Sequence, residues 1–385
     1  MRAVYVGDVD LVDNRRAHAI QMLKNAQAWA RAVPDFEMLT VVEPRHWWRC
    51  HWHGLADYYG LEQPFSLVGL PVAQWLKSDH ALLRRLFPWL VARRCARRRV
   101  DLIFARNYAV AGPALDRGLA VLVETHSPPG ADPEQRLLDE RLDDPNLLGV
   151  VTISAALARR YRAAGYPADR LLVAPDGVDL ERFADPLDRT TARIRLGLDP
   201  RRPLAVYAGH LYAGRGIEEI LVAARIRQDM DFLLVGGFPG DVKKWRDRAA
   251  GEGLGNVTLA GFVANASLPP YLWAADCLLM PYGTGCPTAD WMSPLKMFEY
   301  LAAGRVLVAT DLPALREVLR HGENALLVPP DDGPALARAL GEILAAPERA
   351  AALAAQGLAD VVPFSWDQRV ARILEFARQR RPDLG

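Results

Sequence analysis

Short β-rich runs alternate with helical patterns along this chain, break off, and begin again, and this repeated alternation constrains the fold more than any other feature. Two parallel strands cannot be joined by a tight turn; they need a crossover segment, usually a helix. In the first half the strand candidates are Ala3–Val6, Met38–Val42, Leu102–Phe104, Ala120–Val123, Val150–Ile153 and Leu171–Ala174, with helical patterns at Ala17–Ala32, Ala81–Arg99 and Ala155–Ala164. Residues 184–203 then turn rich in Pro, Asp and Arg, as a linker does. The alternation restarts with Leu204–Tyr207, Phe232–Val235, Val257–Ala260, Cys277–Met280, Val306–Ala309 and Ala325–Val328. At 385 residues the chain is too long for one ordinary core. The expectation is therefore an α/β protein of two doubly wound domains, 1–185 and 186–365, facing each other across a central cleft. The last segment, 366–385, with a helix at Trp366–Arg380, is expected to pack back on the first domain.

Composition narrows the class. Hydrophobic residues make up 51% and charged residues 24%, the mix of a globular domain, and no apolar run reaches the length of a membrane span. The N-terminus runs straight into a strand pattern without signal-peptide architecture, so a cytoplasmic location is expected. The four cysteines, Cys50, Cys95, Cys277 and Cys286, show no CxxC or finger spacing, which argues against disulfides and structural zinc.

The most informative stretch for chemistry is Trp291-Met-Ser-Pro-Leu-Lys-Met-Phe-Glu-Tyr-Leu-Ala-Ala-Gly304. Ser293 reads as an N-cap, Pro294 as the first helical residue and Gly304 as the stop. Lys296 in the first turn opposes the helix dipole, which makes sense if an anion lies over the amides of Ser293 to Lys296. One turn on, Glu299 interrupts an apolar run, where a carboxylate can accept both hydroxyls of a ribose. An ordinary capped helix with solvated Lys and Glu is the alternative for this segment alone. A second stretch, Tyr207-Ala-Gly-His-Leu-Tyr-Ala-Gly-Arg-Gly-Ile217, runs from a strand through Gly209, His210, Gly214, Arg215 and Gly216 into a helix. Its glycines allow close backbone approach to a ligand, and Arg215 can fork onto phosphate oxygens. In the first half, Glu124, Thr125 and His126 fall at the carboxyl end of a strand, the edge where doubly wound folds bind ligands.

Taken in order, these stretches resemble the retaining family 4 glycosyltransferases (glycosyl transferases group 1) of the two-domain GT-B fold, built from Rossmann-like halves. The resemblance covers nearly the whole chain: the opening strand with Asn14 to Gln21, Val123 to Pro129, Thr152 to Ala158, Ala174 to Asp179, Gly209 to Ile217, Ser293 to Gly304, and the ending Phe364-Ser-Trp-Asp-Gln368. It implies that Glu299 is the second glutamate of the E-x7-E motif and binds the donor ribose. It implies that the amides around Ser293, Pro294 and Leu295, with Gly209, hold a diphosphate. Arg215 and Lys296 are then its basic partners, with His210 standing where a second basic residue often lies. Phe262 and Val263 fall where the base is contacted, and His126 matches the histidine near the donor sugar. On the donor-sugar or acceptor side the resemblance implies Glu124, Arg16, Ala17, His18 and Asp290.

Two departures stand out. The first glutamate of E-x7-E is replaced by Trp291, with Asp290 beside it, and the Gly-Gly loop after the first strand appears as Arg16-Ala17. The resemblance implies transfer from a nucleotide diphosphate-sugar to a saccharide, glycolipid or small-molecule acceptor with retained configuration, as in bacterial polysaccharide or lipopolysaccharide synthesis. No cofactor and no metal are expected; Asp8-Val-Asp10 has the spacing of a metal pair but reads as loop polarity. A catalytically lapsed nucleotide-sugar binder and a sugar-nucleotide epimerase of the same fold are the alternatives. An NAD-dependent oxidoreductase is disfavoured, since Val235-Gly-Gly-Phe-Pro-Gly240 fails at the first glycine of G-x-G-x-x-G.

One segment stands apart. Arg84, Arg85, Arg93, Arg94, Arg97, Arg98 and Arg99 have no acidic residue between them, and residues 46–61 are rich in aromatics. The basic stretch 82–99 reads either as a peripheral membrane contact at the inner face of the plasma membrane or as a solvated helix face. Nothing else in the chain points to nucleic acid.

Overall fold

The computed structural model describes residues 1–7, 9–71, 81–106, 108–131 and 135–384. They form two compact units, Met1–Asp176 together with Trp366–Gly385, and Gly177–Ser365. The first holds a seven-stranded sheet: β1 (Arg2–Val6), β2 (Asp35–Val42), β3 (Ser66–Pro71), β4 (Leu102–Ala105), β5 (Val121–Thr125), β6 (Leu147–Thr152) and β7 (Leu171–Val173). Their order is β3-β2-β1-β4-β5-β6-β7, and every pairing is parallel. Central strands such as β5 and β6 are buried along their whole length, as a sheet covered by helices on both faces requires.

Helix Ala17–Ala32 contributes Trp29 to the core, and helix Ala155–Ala163 is capped by Ser154, whose hydroxyl accepts from the Leu157 amide. Helix Trp366–Arg380 belongs to this unit and buries Val370, Ile373, Leu374 and Ala377. Arg31 pairs with Asp367 at 2.8 Å and ties the two helices at the surface.

The second unit contains β8 (Leu204–Ala208), β9 (Asp231–Val235), β10 (Val257–Gly261), β11 (Cys277–Met280), β12 (Val306–Thr310) and β13 (Leu326–Val328). Their order is β10-β9-β8-β11-β12-β13, again all parallel. The change of unit falls at Asp176–Gly177, ahead of the Pro- and Asp-rich stretch. Hydrophobic contacts explain why: Val178 and Phe183 are already part of the second core, and the Val178 amide donates to the Phe364 carbonyl at 3.0 Å.

Three local features differ from the expectations. Strand β3 was hidden by Gly69, Pro64 and Pro71, which read as turn signals; it lies at the sheet edge, where proline and glycine are tolerated. The helix expected from Ser293 begins at Leu295, with Pro294 in the cap position at extended φ and ψ of −77° and 124° and no side-chain cap. The basic segment is helical over Ala81–Arg97 with Pro88 inside it; the side chains of Arg84 and Arg85 lie outside the described residues. Part of its charge is answered from elsewhere in the chain: Arg94 forks onto Glu37 of β2 at 2.9 and 2.7 Å, and Arg98 lies 3.7 Å from the same carboxylate. Leu86 and Trp89 remain partly exposed, with Arg93 stacked over Trp89. No described helix is long and apolar enough to cross a membrane, and all four cysteines are buried and unpaired.

One side chain fixes helix Leu295–Ala302 to the carboxyl end of β8. The fully buried Tyr300 hydroxyl accepts from the Ala208 amide at 2.6 Å and donates to the Ala208 carbonyl at 3.1 Å. Replacing it with phenylalanine leaves a buried amide and carbonyl short of a partner, so Tyr300→Phe is expected to cost about 1–3 kcal/mol. Urea unfolding of both proteins measures it.

Candidate functional site

In the second unit the sequence-predicted cations converge beyond the end of β8. Gly209 follows the strand with φ of 149°, a backbone conformation that favours glycine, and the Lys296 ammonium occupies the space where a side chain would begin. The Lys296 ammonium lies 3.9 Å from the centre of the Tyr207 ring and 5.4 Å from that of Tyr282. Arg215 is stacked against the same wall, its guanidinium carbon 5.0 Å from the Tyr282 ring and 4.7 Å from Tyr212, whose hydroxyl it meets at 2.6 Å. Gly216 beside it has φ of 76° and packs directly on the Pro281 carbonyl, which anchors the loop before helix Ile217–Ile226.

Among the described residues, no carboxylate comes within ion-pair distance of Arg215 or Lys296. Two half-buried cations face aromatic rings and each other, an arrangement that repels itself. Burial first, and then the neighbouring Arg215 charge, push the Lys296 pKa well below its ordinary value, against a smaller opposing pull from Glu299. The amides at the start of helix Leu295–Ala302 have no side-chain cap, so they too point at an unanswered position.

Glu299 lies one turn further along. Its Oε1 accepts from Asn265 Nδ2 at 3.1 Å and stands 4.0 Å from Arg182, which in turn donates to Asn265 Oδ1 at 2.8 Å. Oε2 takes no hydrogen bond from the described residues, which leaves one oxygen for a ligand hydroxyl. Arg182 and Asn265 were not singled out in the sequence; they sit in short 3-10 turns 117 and 34 positions away from Glu299 along the chain, and no spacing rule connects them. His210 is held between Tyr212 and Phe238, ring centres 5.3 and 5.2 Å away. Phe262 and Val263 follow β10 directly, and Val263 packs on the core. Ser293 is buried, whereas Asp290 is exposed in the turn before it, beside the half-buried Trp291.

The first unit gathers a different set. Glu124 ends β5 at 1% exposure, and three donors converge on its Oε1: Gln21 Nε2 and His126 Nε2, each at 2.7 Å, and an Arg369 amino group at 3.1 Å. The Tyr5 hydroxyl reaches Oε2 at 3.4 Å. Arg106 donates to the Gln21 carbonyl oxygen, which turns the amide so that its NH2 faces Glu124. Burial works to raise the Glu124 pKa, but Arg369, His126 and Arg106 together hold it well below the usual carboxylate range. Asp176 is buried close by, and burial raises its pKa. Ligand-capable atoms of Glu124, His126 and Asp176 lie within 4.8 Å of one another, but Glu124 is already saturated by donors, two of them on or next to arginines.

Arg16, Ala17 and His18 open the first helix: Arg16 is its cap residue, with its amide donating to Asn14 Oδ1 at 3.0 Å, and Asn14 Nδ2 lies 3.4 Å from His18 Nε2. Arg16 and Ala17 are exposed. Of the pair Asp8 and Asp10, Asp8 lies outside the described residues, while Asp10 binds His46 Nδ1 at 2.7 Å and two backbone amides.

Comparison with known proteins gives this geometry a family context. Residues 202–346 match the family model described as Glycosyl transferases group 1, and residues 46–182 match that of Glycosyltransferase Family 4. The chain is 32% identical over 235 residues to a D-inositol 3-phosphate glycosyltransferase of Xylanimonas cellulosilytica, covering 57% of this chain and 55% of that protein. It is 31% identical to a GDP-mannose-dependent alpha-(1-6)-phosphatidylinositol monomannoside mannosyltransferase of Mycobacterium tuberculosis, over 60% of this chain and 61% of that one. The matched stretch thus spans little more than half the length of these curated relatives. Among solved structures, HepE of Anabaena in complex with UDP superposes with a TM-score of 0.73 at 18% identity, covering 97% of this chain and all of that one. Sucrose-phosphate synthase of Thermosynechococcus elongatus does so with 0.72 at 20%, over 98% and 99%. These similarities show the GT-B glycosyltransferase fold.

The Glu124 cluster makes stability depend on acid. A carboxylate whose folded pKa lies below its unfolded value of about 4.3 contributes stability that is complete above that value and is lost as the pH falls towards the folded one. Asp176, raised by burial, titrates with the opposite sign. Urea unfolding between about pH 3 and 6 is expected to show a steep acid loss in the native protein and a shallower one in Glu124→Gln.

Proposed function

We propose that the chain is a family 4 glycosyltransferase, with a group 1 segment in its second half, and that it moves a sugar from a nucleotide diphosphate-sugar to a hydroxyl of a saccharide or lipid-linked acceptor with retained configuration. The observation that carries this reading is the pair Arg215 and Lys296, two cations with no carboxylate within ion-pair distance among the described residues, set around the uncapped start of helix Leu295–Ala302. A diphosphate supplies the missing counter-charge and accepts from the free amides. Glu299, held on one oxygen by Asn265, offers the other to a ribose. His210, Phe262 and Val263 border the same loops and suit the base side.

In this reading the bond between the anomeric carbon and the terminal phosphate oxygen breaks, and negative charge grows on the leaving diphosphate. Arg215, Lys296 and the helix amides stabilise it without reorganising, which is where most of the acceleration arises. The acceptor hydroxyl attacks from the same face and passes its proton to a diphosphate oxygen. No divalent cation is needed, since the two basic side chains supply the charge. By the resemblance, His126 and Glu124 of the first unit are assigned to the sugar side, and in the second unit Asp290 and Trp291 stand in place of the usual first glutamate. The relatives' names, with their inositol phosphate, phosphatidylinositol and lipopolysaccharide core acceptors, favour glycoconjugate synthesis.

A panel of UDP-, GDP- and ADP-sugars tests this by thermal shift and by release of nucleotide in the presence of lipid and saccharide acceptors, with the anomeric configuration of the product read by NMR. Stabilisation by one donor, release on acceptor addition and a retained anomer are expected. Stabilisation by none removes the reading, and binding without release points to a lapsed binder. Glu299→Ala is expected to weaken donor binding by about tenfold or more, the loss of one to two charge-assisted hydrogen bonds. The depressed Lys296 pKa adds a second signature. Its ammonium is disfavoured in the empty site and favoured opposite a diphosphate, so binding takes up a proton at pH values between its lowered pKa and the ordinary value of about 10.4. Calorimetry in buffers of different ionisation enthalpy is expected to show this uptake in the native protein and not in Lys296→Met.

A further inference from the structure

Arg369 presents a charge in a place where charge is expensive. It lies in the first turn of helix Trp366–Arg380, is completely buried, and carries a guanidinium where the helix dipole disfavours one. Its Nε donates to the Ala174 and Pro175 carbonyls at 3.3 and 3.0 Å, and one amino group reaches Glu124 Oε1 at 3.1 Å. The other amino group has no hydrogen-bond partner among the described residues. A buried ion pair of this kind rarely adds stability over an apolar pair of similar volume, so stability alone does not account for it.

Its geometry accounts for it better. An ionised carboxylate can only accept, so every atom that meets Glu124 Oε1 must bring a hydrogen. Gln21 does so because Arg106 orients its amide, and Arg369 does so as a cation. His126 Nε2, at 2.7 Å from the same oxygen, must therefore carry the ring proton, which fixes both the tautomer and the plane of the imidazole. A neutral carboxyl group at this point could instead donate, and the opposite tautomer would fit equally well. The opposing charges around it, with the His126 hydrogen bond, keep Glu124 ionised in a buried position against the cost of burial.

We infer that Arg369 is a positioning residue: through Glu124 it sets the orientation and the protonated nitrogen of His126, making the C-terminal helix part of the site in the first unit. This deepens the reading of His126 as a group that faces the transferring sugar, and rests on it. Arg369 touches no substrate in this scheme. The segment that a sequence reading treats as a closing helix delivers the charge that the strand-end histidine depends on.

The test reads the ring directly. Ring 15N NMR of histidine-labelled protein, with the His126 signal assigned by its loss in His126→Asn, is expected to show the Nε2–H form in the native chain. Arg369→Met is expected to convert it to a mixture of tautomers. Because removing one member of a buried pair can unfold the protein, the double variant Arg369→Met/Glu124→Leu, an apolar replacement of the whole pair, serves as the folding-competent control. It too is expected to lose the single tautomer. In both variants sugar transfer is expected to fall by about 100-fold, the scale of a displaced site group, while affinity for free nucleoside diphosphate stays within about threefold. An Nδ1–H ring in the native protein, or an unchanged tautomer in a folded variant, overturns the inference. So does unchanged transfer. The NMR measurement needs no substrate, so it succeeds or fails independently of the transferase reading.

Discussion

Every strand pairing in both sheets is parallel, and most of what is chemically notable about this protein follows from that constraint. Parallel strands all end on the same edge, and each must leave that edge through a loop into a crossover helix. Glu124 lies near the end of β5 and His126 leaves it there, Asp176 leaves β7, Gly209 and His210 leave β8, and Phe262 leaves β10. Residues far apart in sequence thus meet within each unit because strand polarity forces their loops together. Conversely, the buried strands themselves carry little chemistry; β11 and β12 are apolar or nearly so throughout, as packing on both faces demands.

The two units treat charge in opposite ways. In the first, the buried carboxylate is answered: Glu124 receives Gln21, His126 and Arg369, and Arg106 orders the layer behind. Such a network is rigid, because each group is fixed by another and none can turn without stranding a partner. In the second, Arg215 and Lys296 are packed against Tyr207, Tyr212 and Tyr282 and lack any carboxylate within reach among the described residues. The aromatic faces offset part of the cost of holding two like charges together, and the remainder is available to an anionic ligand. The first unit thus holds a preorganised lattice, and the second holds an excess of positive charge.

Much of the fold could be read from the chain because parallel strands are nearly continuous apolar runs. All six strands of the second unit and six of the seven in the first fall where the alternation put them, and helix Trp366–Arg380 does too. The exception, β3, is an edge strand whose Gly69 and Pro71 satisfy the local rules for a turn; only its pairing with β2 makes it a strand. Pro294 shows the limit at finer scale. Proline is accepted both at the cap and at the first helical position, so the motif located the helix but not its first residue.

The sequence by itself determined the class of fold, the positions of the strand-end loops and the residue types that carry charge there, because these depend on local periodicity and on motifs within about a dozen residues. The tertiary structure alone decided which charges are answered. Glu37 of β2 takes the arginines of a segment that has no acid of its own, Asn265 and Arg182 hold Glu299, and Arg369 crosses 245 positions of chain to reach Glu124. Electrostatic partnership falls off with distance in space and ignores distance along the chain, so no pattern in the sequence could have shown that Lys296 would find no ion-pair partner among the described residues and Glu124 would.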